Sequence, residues 1–245
     1  MSEVYLGEQA CTMKIHELLA LFLPRACAAC GLEGVSLCGT CLRAMAMPVT
    51  KTEPRYGIRP IVSACEYTGA IRACLIAYKE HERRDIAPVL ALLLARAVAA
   101  VCEYSAQISY PVTLVPVPTS PRASRRRGGN HMSPLAYESA NILANGGIEA
   151  QSLEILSVTH KADQVGRTLH NRNKNVDGKH FVSSSFAHHV KSLGSVIVVD
   201  DIATSGATLA ESARALEAAG VKSIASPAVI GLTPGGSRED PRNGI

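Results

Sequence analysis

Val196-Ile197-Val198-Val199-Asp200-Asp201-Ile202-Ala203-Thr204-Ser205-Gly206-Ala207-Thr208-Leu209 is the stretch from which the rest of this 245-residue chain can be read. Four consecutive β-branched residues predict a strand buried on both faces of a parallel sheet. The strand ends in two carboxylates. A loop of small hydroxyl residues with Gly206 then opens a helix that carries Leu209, Ala213 and Leu216 along one side and has Gly220 at its C-terminal end. A helix N-terminus has unpaired N–H groups and a partial positive charge. This junction therefore suits a phosphate held by backbone donors, with help from the Thr204, Ser205 and Thr208 hydroxyls. Two carboxylates beside a phosphate repel it unless the ligand brings hydroxyl donors or a divalent cation between them. A ribose diol with Mg²⁺ meets both conditions. The plain alternative is a strand-to-helix turn in which Asp201 and Ser205 serve only as caps. Against it stands the combination of adjacent acids, three hydroxyls and one glycine at the carboxyl end of a buried strand.

Outward from this stretch the same grammar repeats. Residues 223–230 read as the next strand, which makes a β-loop-α-β unit with a right-handed crossover. Residues 112–117 read as a short apolar strand, followed by Pro118 and a basic loop. Ser133-Pro134 then supplies an N-cap and a first helical position for a helix over 134–144. Residues 61–67 read as a strand that turns at Thr68-Gly69 into a helix with Ile71, Cys74, Leu75 and Tyr78 on one face. A helix over 86–101 is apolar nearly all round and belongs in the core. The fold class is α/β, an open and mostly parallel sheet flanked by helices.

The N-terminal part differs. Residues 14–23 place Ile15, Leu18, Leu19 and Phe22 on one helical face, stopped by Pro24. Cys27-x2-Cys30-x7-Cys38-x2-Cys41 then offers four thiolates in two close pairs, a spacing that fits a tetrahedral structural Zn²⁺ with no open coordination position. A redox Cys-x-x-Cys pair or an iron–sulfur site are the alternatives. Cys11, Cys65, Cys74 and Cys102 lie on or near apolar patterns and read as inert core thiols. Residues 48–60 form a polar linker with three prolines. The expected organisation is a helix and zinc-knuckle module over 1–50, a main domain over 61–233, and a mobile tail over 234–245.

With 47% apolar and 19% charged residues the chain has the composition of a folded globular protein, not a disordered one. Its longest unbroken apolar runs fall short of the roughly 20 residues a membrane span needs, so no span is expected. Acidic Glu3 and Glu8 precede any apolar run, unlike a secretory signal, and a cytoplasmic location is the expectation. The net charge of +4 permits nucleic-acid binding without demanding it. Basic residues gather in two loops, one with Arg122, Arg125, Arg126 and Arg127, the other with Lys161, Arg167, Arg172, Lys174 and Lys179. With no Trp and three Phe, the chain is poor in the aromatic faces on which single-stranded nucleic acid usually stacks.

The stretch over residues 196–209 resembles the phosphoribosyl pyrophosphate (PRPP) signature of type I phosphoribosyltransferases, with Ser205 where a second Thr is frequent. The resemblance implies that Asp200 and Asp201 contact ribose hydroxyls and that Ala203, Thr204, Ser205, Gly206, Ala207 and Thr208 cradle the 5-phosphate. It also implies Mg²⁺ accompanying PRPP. Val115-Pro116-Val117-Pro118 followed by the arginines and Gly128-Gly129-Asn130 resembles the ComF subgroup, linked to competence for DNA uptake. That subgroup's spacing is matched by Gln164, Leu169, Arg172, Asn175, Val176 and Gly178, by the helix over 71–79, and by the four-cysteine knuckle. Gly129 and His131 depart from the aromatic and Gln that usually flank the loop Asn. Lys179-His180 stands where a smaller residue is usual. Arg122, Arg125, Arg126 and Arg127 would clamp pyrophosphate bidentately, as arginine forks do. His131, His160, His170 and His180 are base candidates on loops, each weighed against an ordinary surface histidine. Two functions follow from the resemblance. One is phosphoribosyl transfer from PRPP to an unnamed acceptor, with a nucleotide-like small molecule as ligand. The other is a non-catalytic module for single-stranded DNA or for competence and DNA-processing proteins.

Overall fold

The computed structural model of the chain describes residues 26–53, 59–119, 129–158, 180–186 and 188–234. The helix expected over 14–23, Cys11, the arginines at 122 and 125–127, the second basic cluster and the tail after 234 lie outside them.

Eight strands and five helices are described. β1 (Thr50–Lys51), β2 (Val62–Glu66), β3 (Val112–Pro116), β4 (Ala150–Ser152), β7 (Val196–Ala203) and β8 (Ala228–Leu232) form one sheet in the order β1-β2-β8-β7-β3-β4. All neighbours run parallel except β1, which pairs antiparallel with β2 at the edge. β5 (Leu156–Val158) and β6 (His180–Val182) make a separate antiparallel pair. The helices are α1 (Gly39–Met45), α2 (Gly69–Glu80), α3 (Ala87–Tyr104), α4 (Met132–Asn145) and α5 (Ala207–Ala218). The open, mostly parallel sheet read from the sequence is the one observed.

β7 lies inside the sheet, between β3 and β8. Its Val196, Ile197, Val198 and Val199 are buried to 1% exposure or less, which accounts for the unbroken β-branched run. α3 and α4 pack against each other, with α3 also covering β2 and β8; α5 packs on β7 and β6. Val198 shares a small cavity with Leu209, Ala210 and Ala213 of α5. Side chains alternate along a strand, so Val198 and Asp200 look toward α5, and Val199 and Asp201 look the other way. By length and composition the stretch Arg84–Tyr104 is long and apolar enough to cross a bilayer. Here it serves as the core helix, with Leu90, Leu94, Ala97, Val98 and Val101 at zero exposure.

Three local expectations are corrected. Ser133 is not the N-cap of α4. The helix begins at Met132, whose N–H donates to the Asn130 side-chain oxygen at 3.1 Å, so the capping acceptor sits three residues earlier in the chain. The last strand starts at Ala228, not at 223: Ile224 makes only an isolated bridge to Val196, and Pro227 has no N–H to extend the ladder. The linker over 48–60 contains edge strand β1, fixed by the Ile61 N–H donating to Thr52 Oγ1 at 2.9 Å.

Candidate functional site

The two acids are the last turn of the strand's alternation before it leaves the sheet. Asp200 is 9% exposed and Asp201 3%, and the strand continues past them to Ala203. The loop proper is only Thr204, Ser205 and Gly206. Gly206 has φ 77°, left-handed backbone that a Cβ would strain, and it is the residue from which α5 starts. Ala203 and Gly206 are buried, Ala207 is half-buried, and Thr204, Ser205 and Thr208 are exposed. Ser205 Oγ accepts from the Ala207 N–H at 3.4 Å. The remaining N–H groups of the first turn have no intrahelical acceptor, as at any helix start.

Around Asp201 three elements converge. Lys79, at the end of α2, places Nζ 2.5 Å from Asp201 Oδ2, and His131, at the start of α4, places Nε2 2.8 Å from the same oxygen. Tyr78, the neighbour of Lys79 in the helix, donates its hydroxyl to the His131 carbonyl at 3.1 Å and carries the Arg84 guanidinium 4.8 Å from its ring centre. Asp200 is held differently: its Oδ1 accepts the Asp201 N–H at 2.8 Å. Burial pushes the Asp200 carboxyl well above the ordinary carboxylate range, and the adjacent Asp201 charge adds to this. Burial would also raise Asp201, but the His131 hydrogen bond and the Lys79 charge outweigh it and bring Asp201 down to about 2. Two adjacent acids thus have opposite protonation preferences, set by which face of the sheet each looks into.

His131 is therefore not a surface histidine; it is 9% exposed, with Nδ1 among the buried polar atoms that lack a partner in the described residues. The sequence reading missed Lys79 altogether. Its one signal was a basic residue directly after Tyr78 at the end of an amphipathic helix, and spacing alone does not tie position 79 to position 201. His180 is buried too, at 9% exposure, but away from the acids. Its N–H donates to Glu211 Oε1 at 3.0 Å and its Nδ1 meets Ser212 Oγ at 3.0 Å. Glu211 in turn takes two hydrogen bonds from Arg214. His180 thereby fastens β6 to α5. His160 and His170 fall outside the described residues.

Asn130 organises the other side of the site. Its amide nitrogen donates to the Val117 carbonyl at 3.1 Å and to Glu154 Oε1 at 3.2 Å, while its oxygen accepts from Thr119 Oγ1 at 2.7 Å as well as from Met132. One side chain thus ties the end of β3 to the start of α4. The pyrophosphate role expected of Arg122, Arg125, Arg126 and Arg127 concerns residues between those two anchors, outside the described ones.

The four knuckle cysteines come together independently. The Sγ atoms of Cys27, Cys30, Cys38 and Cys41 all lie within 4.8 Å of one another, with Cys30 and Cys38 3.7 Å apart. Metal–sulfur bonds of about 2.3 Å in a tetrahedron give sulfur–sulfur edges of about 3.8 Å, so the donor set fits a four-coordinate structural metal. The Cys38 N–H donates to Cys27 Sγ at 3.4 Å. Burial opposes the Cys27 thiolate, yet backbone donors from Cys38, Cys30 and Ala29 bring its pKa down to about 6. Cys65, Cys74 and Cys102 are shifted the other way, raised first by burial, as befits unreactive core thiols. Arg83, bidentate to Asp85 at 2.9 and 2.8 Å, also reaches the Ser36 carbonyl at 3.4 Å and links the knuckle to the segment after α2.

Residues 134–244 match the family model of the phosphoribosyl transferase domain. Comparison with curated proteins gives no match. The matched part runs from α4 through β8 and includes both acids and the loop to Thr208. The fold is type I phosphoribosyltransferase-like, a mostly parallel sheet flanked by helices, with a four-cysteine cluster near the N-terminus that fits a zinc module.

Proposed function

We propose, from the phosphoribosyl transferase domain over residues 134–244, that this protein binds the ribose 5-phosphate portion of PRPP at the end of β7 and transfers the phosphoribosyl group to an acceptor nucleophile, which bonds to the ribosyl carbon as pyrophosphate leaves. The observation that carries the reading is the adjacency of a buried acid pair to a left-handed Gly206 that opens a twelve-residue helix. In this reading the α5 N-terminus and the Thr204, Ser205 and Thr208 hydroxyls take the 5-phosphate. Asp200 and Asp201 accept from the ribose hydroxyls, and the ionised Asp201 stabilises the positive charge that grows on the sugar as the bond to pyrophosphate lengthens. Lys79 and His131 keep Asp201 ionised in the meantime. Mg²⁺ in this reading travels with the pyrophosphate, where Arg122, Arg125, Arg126 and Arg127 are the expected clamp. The metal in the cysteine cluster is read as Zn²⁺ in a structural role, since four thiolates leave no position for water.

The ComF resemblance adds a subgroup to this reading. The joint presence of a phosphoribosyl transferase domain and an assembled four-thiolate cluster supports it. A non-catalytic role on single-stranded DNA or competence proteins draws on the same resemblance, and nothing among the described residues favours it over a small-molecule ligand.

Calorimetric titration with PRPP and Mg²⁺, in competition with ribose 5-phosphate, tests the proposal. Micromolar binding, about −8 kcal/mol, that disappears in the Asp200→Asn/Asp201→Asn double variant is the expected result. Absence of heat with either ligand would overturn it.

A further inference from the structure

Where the cysteine module meets the edge of the sheet the chain leaves a cavity of about 590 Å³. Small-molecule sites commonly measure about 300–1,000 Å³. Three parts of the chain enclose it: Met45 and Met47 from the end of α1 and the segment after it, Glu66 and Ile71 from the end of β2 and the start of α2, and Leu232 and Pro234 from the end of β8. The wall is fixed in advance. Cys65 Sγ donates to the Met45 carbonyl at 3.3 Å, and the Arg96 guanidinium donates to the Met47 carbonyl at 2.7 Å. The Met47 side chain is nevertheless 55% exposed, an adaptable apolar group at the cavity wall. The cavity lies at the carboxyl ends of the parallel strands β2 and β8, the edge at which open α/β sheets take their ligands. It also adjoins the loop after β7. Thr233, in its wall, donates its N–H at 3.0 Å and its hydroxyl at 3.3 Å to the carbonyl of Ala203.

Among the described residues Glu66 is the one charged side chain that lines the cavity, and it is exposed and makes no ion pair with them. The start of α2 at Gly69 lies in the same wall, and Thr68 gives it no side-chain cap. A helix start carries about half a positive charge, against the full negative charge of a carboxylate, so the cavity favours a cation or an N–H donor over an anion. We propose that this cavity takes the acceptor of the phosphoribosyl group, and that the acceptor is a mainly apolar molecule with a cationic or N–H group directed at Glu66. This deepens the proposed function and rests on it. The nucleophilic atom of the acceptor gives its electron pair to the ribosyl carbon, the carbon–oxygen pair leaves with pyrophosphate, and the nucleophile's proton passes to water. Glu66 is assigned recognition and no part in that step. The cysteine module thereby supplies one wall of a ligand site.

The experiment follows the isotope-labelled methionine methyls of the full chain by NMR during titration with three probes of one shape, benzamidine, benzamide and benzoate. Met45 and Met47 report on the cavity, and Met132, buried at the start of α4, serves as the control. Met45 and Met47 are expected to shift while Met132 stays unchanged. Benzamidine should bind about fivefold tighter than benzamide, the scale of one partly exposed ion pair, and benzoate should bind most weakly. In Glu66→Gln the preference for benzamidine should fall to about unity. Ala44→Trp, at an exposed position in the wall, should block all three probes and still bind ribose 5-phosphate. Ribose 5-phosphate should change the affinity for benzamidine in the wild type, because the two ligands are neighbours. Silent Met45 and Met47 methyls, benzoate binding best, or a benzamidine affinity indifferent to ribose 5-phosphate would overturn the inference and leave the proposed function standing. Failure of the wild type to bind ribose 5-phosphate would overturn both.

Discussion

The cysteine knuckle and the acid pair are built on opposite plans. The four thiols come from fifteen consecutive positions, and two short turns bring their sulfur atoms within 4.8 Å. The group around Asp201 comes from positions 79, 131 and 201, and it exists only once α2, α4 and β7 have packed. The first site is assembled by local chain geometry and fits a metal, the second by the tertiary fold. Damage should therefore propagate differently from each.

The largest expected effect separates them directly. Zinc bound to four thiolates contributes on the order of 10–16 kcal/mol of apparent folding free energy in small modules. A strong chelator, or Cys38→Ser, should therefore unravel residues 26–45. Hydrogen exchange would then show lost protection there and retained protection in β7 and α5. Loss of protection in β7 to the same degree would mean that the two regions are one cooperative unit. Metal analysis of the untreated protein should give one zinc per chain.

A smaller effect is expected within the acid pair, and its sign differs between the two residues. Asp201 is depressed in the folded protein, so its contribution to stability is full above its unfolded pKa and is lost as pH falls through about 2. Asp200 is raised, so its contribution is full below its unfolded pKa and is lost as pH rises through the folded one. Asp201→Asn leaves Lys79 without its buried partner and should cost about 3–5 kcal/mol near neutral pH in urea unfolding. Asp200→Asn removes a carboxyl that resists ionisation and keeps an oxygen for the Asp201 N–H. It should be neutral or stabilising wherever the native Asp200 would have to ionise. Equal destabilisation by both substitutions would show that the two faces of β7 are not electrically distinct.

The smallest effect tests the seam between the regions. Arg83→Ala removes the contact to the Ser36 carbonyl and the bidentate pair with Asp85, whose pKa Arg83 lowers to about 2. A partly exposed pair of this kind is worth about 1 kcal/mol or less. The global unfolding midpoint should barely move, while exchange in residues 26–45 speeds up.

The contrast also explains what could be read in advance. The knuckle spacing, the β7 run and the apolar α3 are local patterns, and each led to the observed element. β8 was placed too early because the apolar run from 223 continues through Pro227, and sequence does not say where pairing with β7 begins. Ser133-Pro134 looked like a helix start by composition, but the capping oxygen comes from Asn130, whose side chain is recruited there by Val117, Thr119 and Glu154. Sequence alone does not mark out His131 among the loop histidines, nor Lys79, because their role depends on reaching one oxygen 70 and 122 positions away. Electrostatic partnership across a sheet leaves no periodicity to detect.

One feature of the core also bears on how the chain comes into being. The stretch Arg84–Tyr104 has a mean hydropathy of 2.0 over its most apolar window, and its covers include α4 and β8, the latter not reached until Ala228. While the ribosome is still adding the second half of the chain, the faces of this helix that α4 and β8 cover are open. Newly made chains should therefore depend on a holdase at that stage, and a stalled or truncated product ending before β8 should be prone to aggregate.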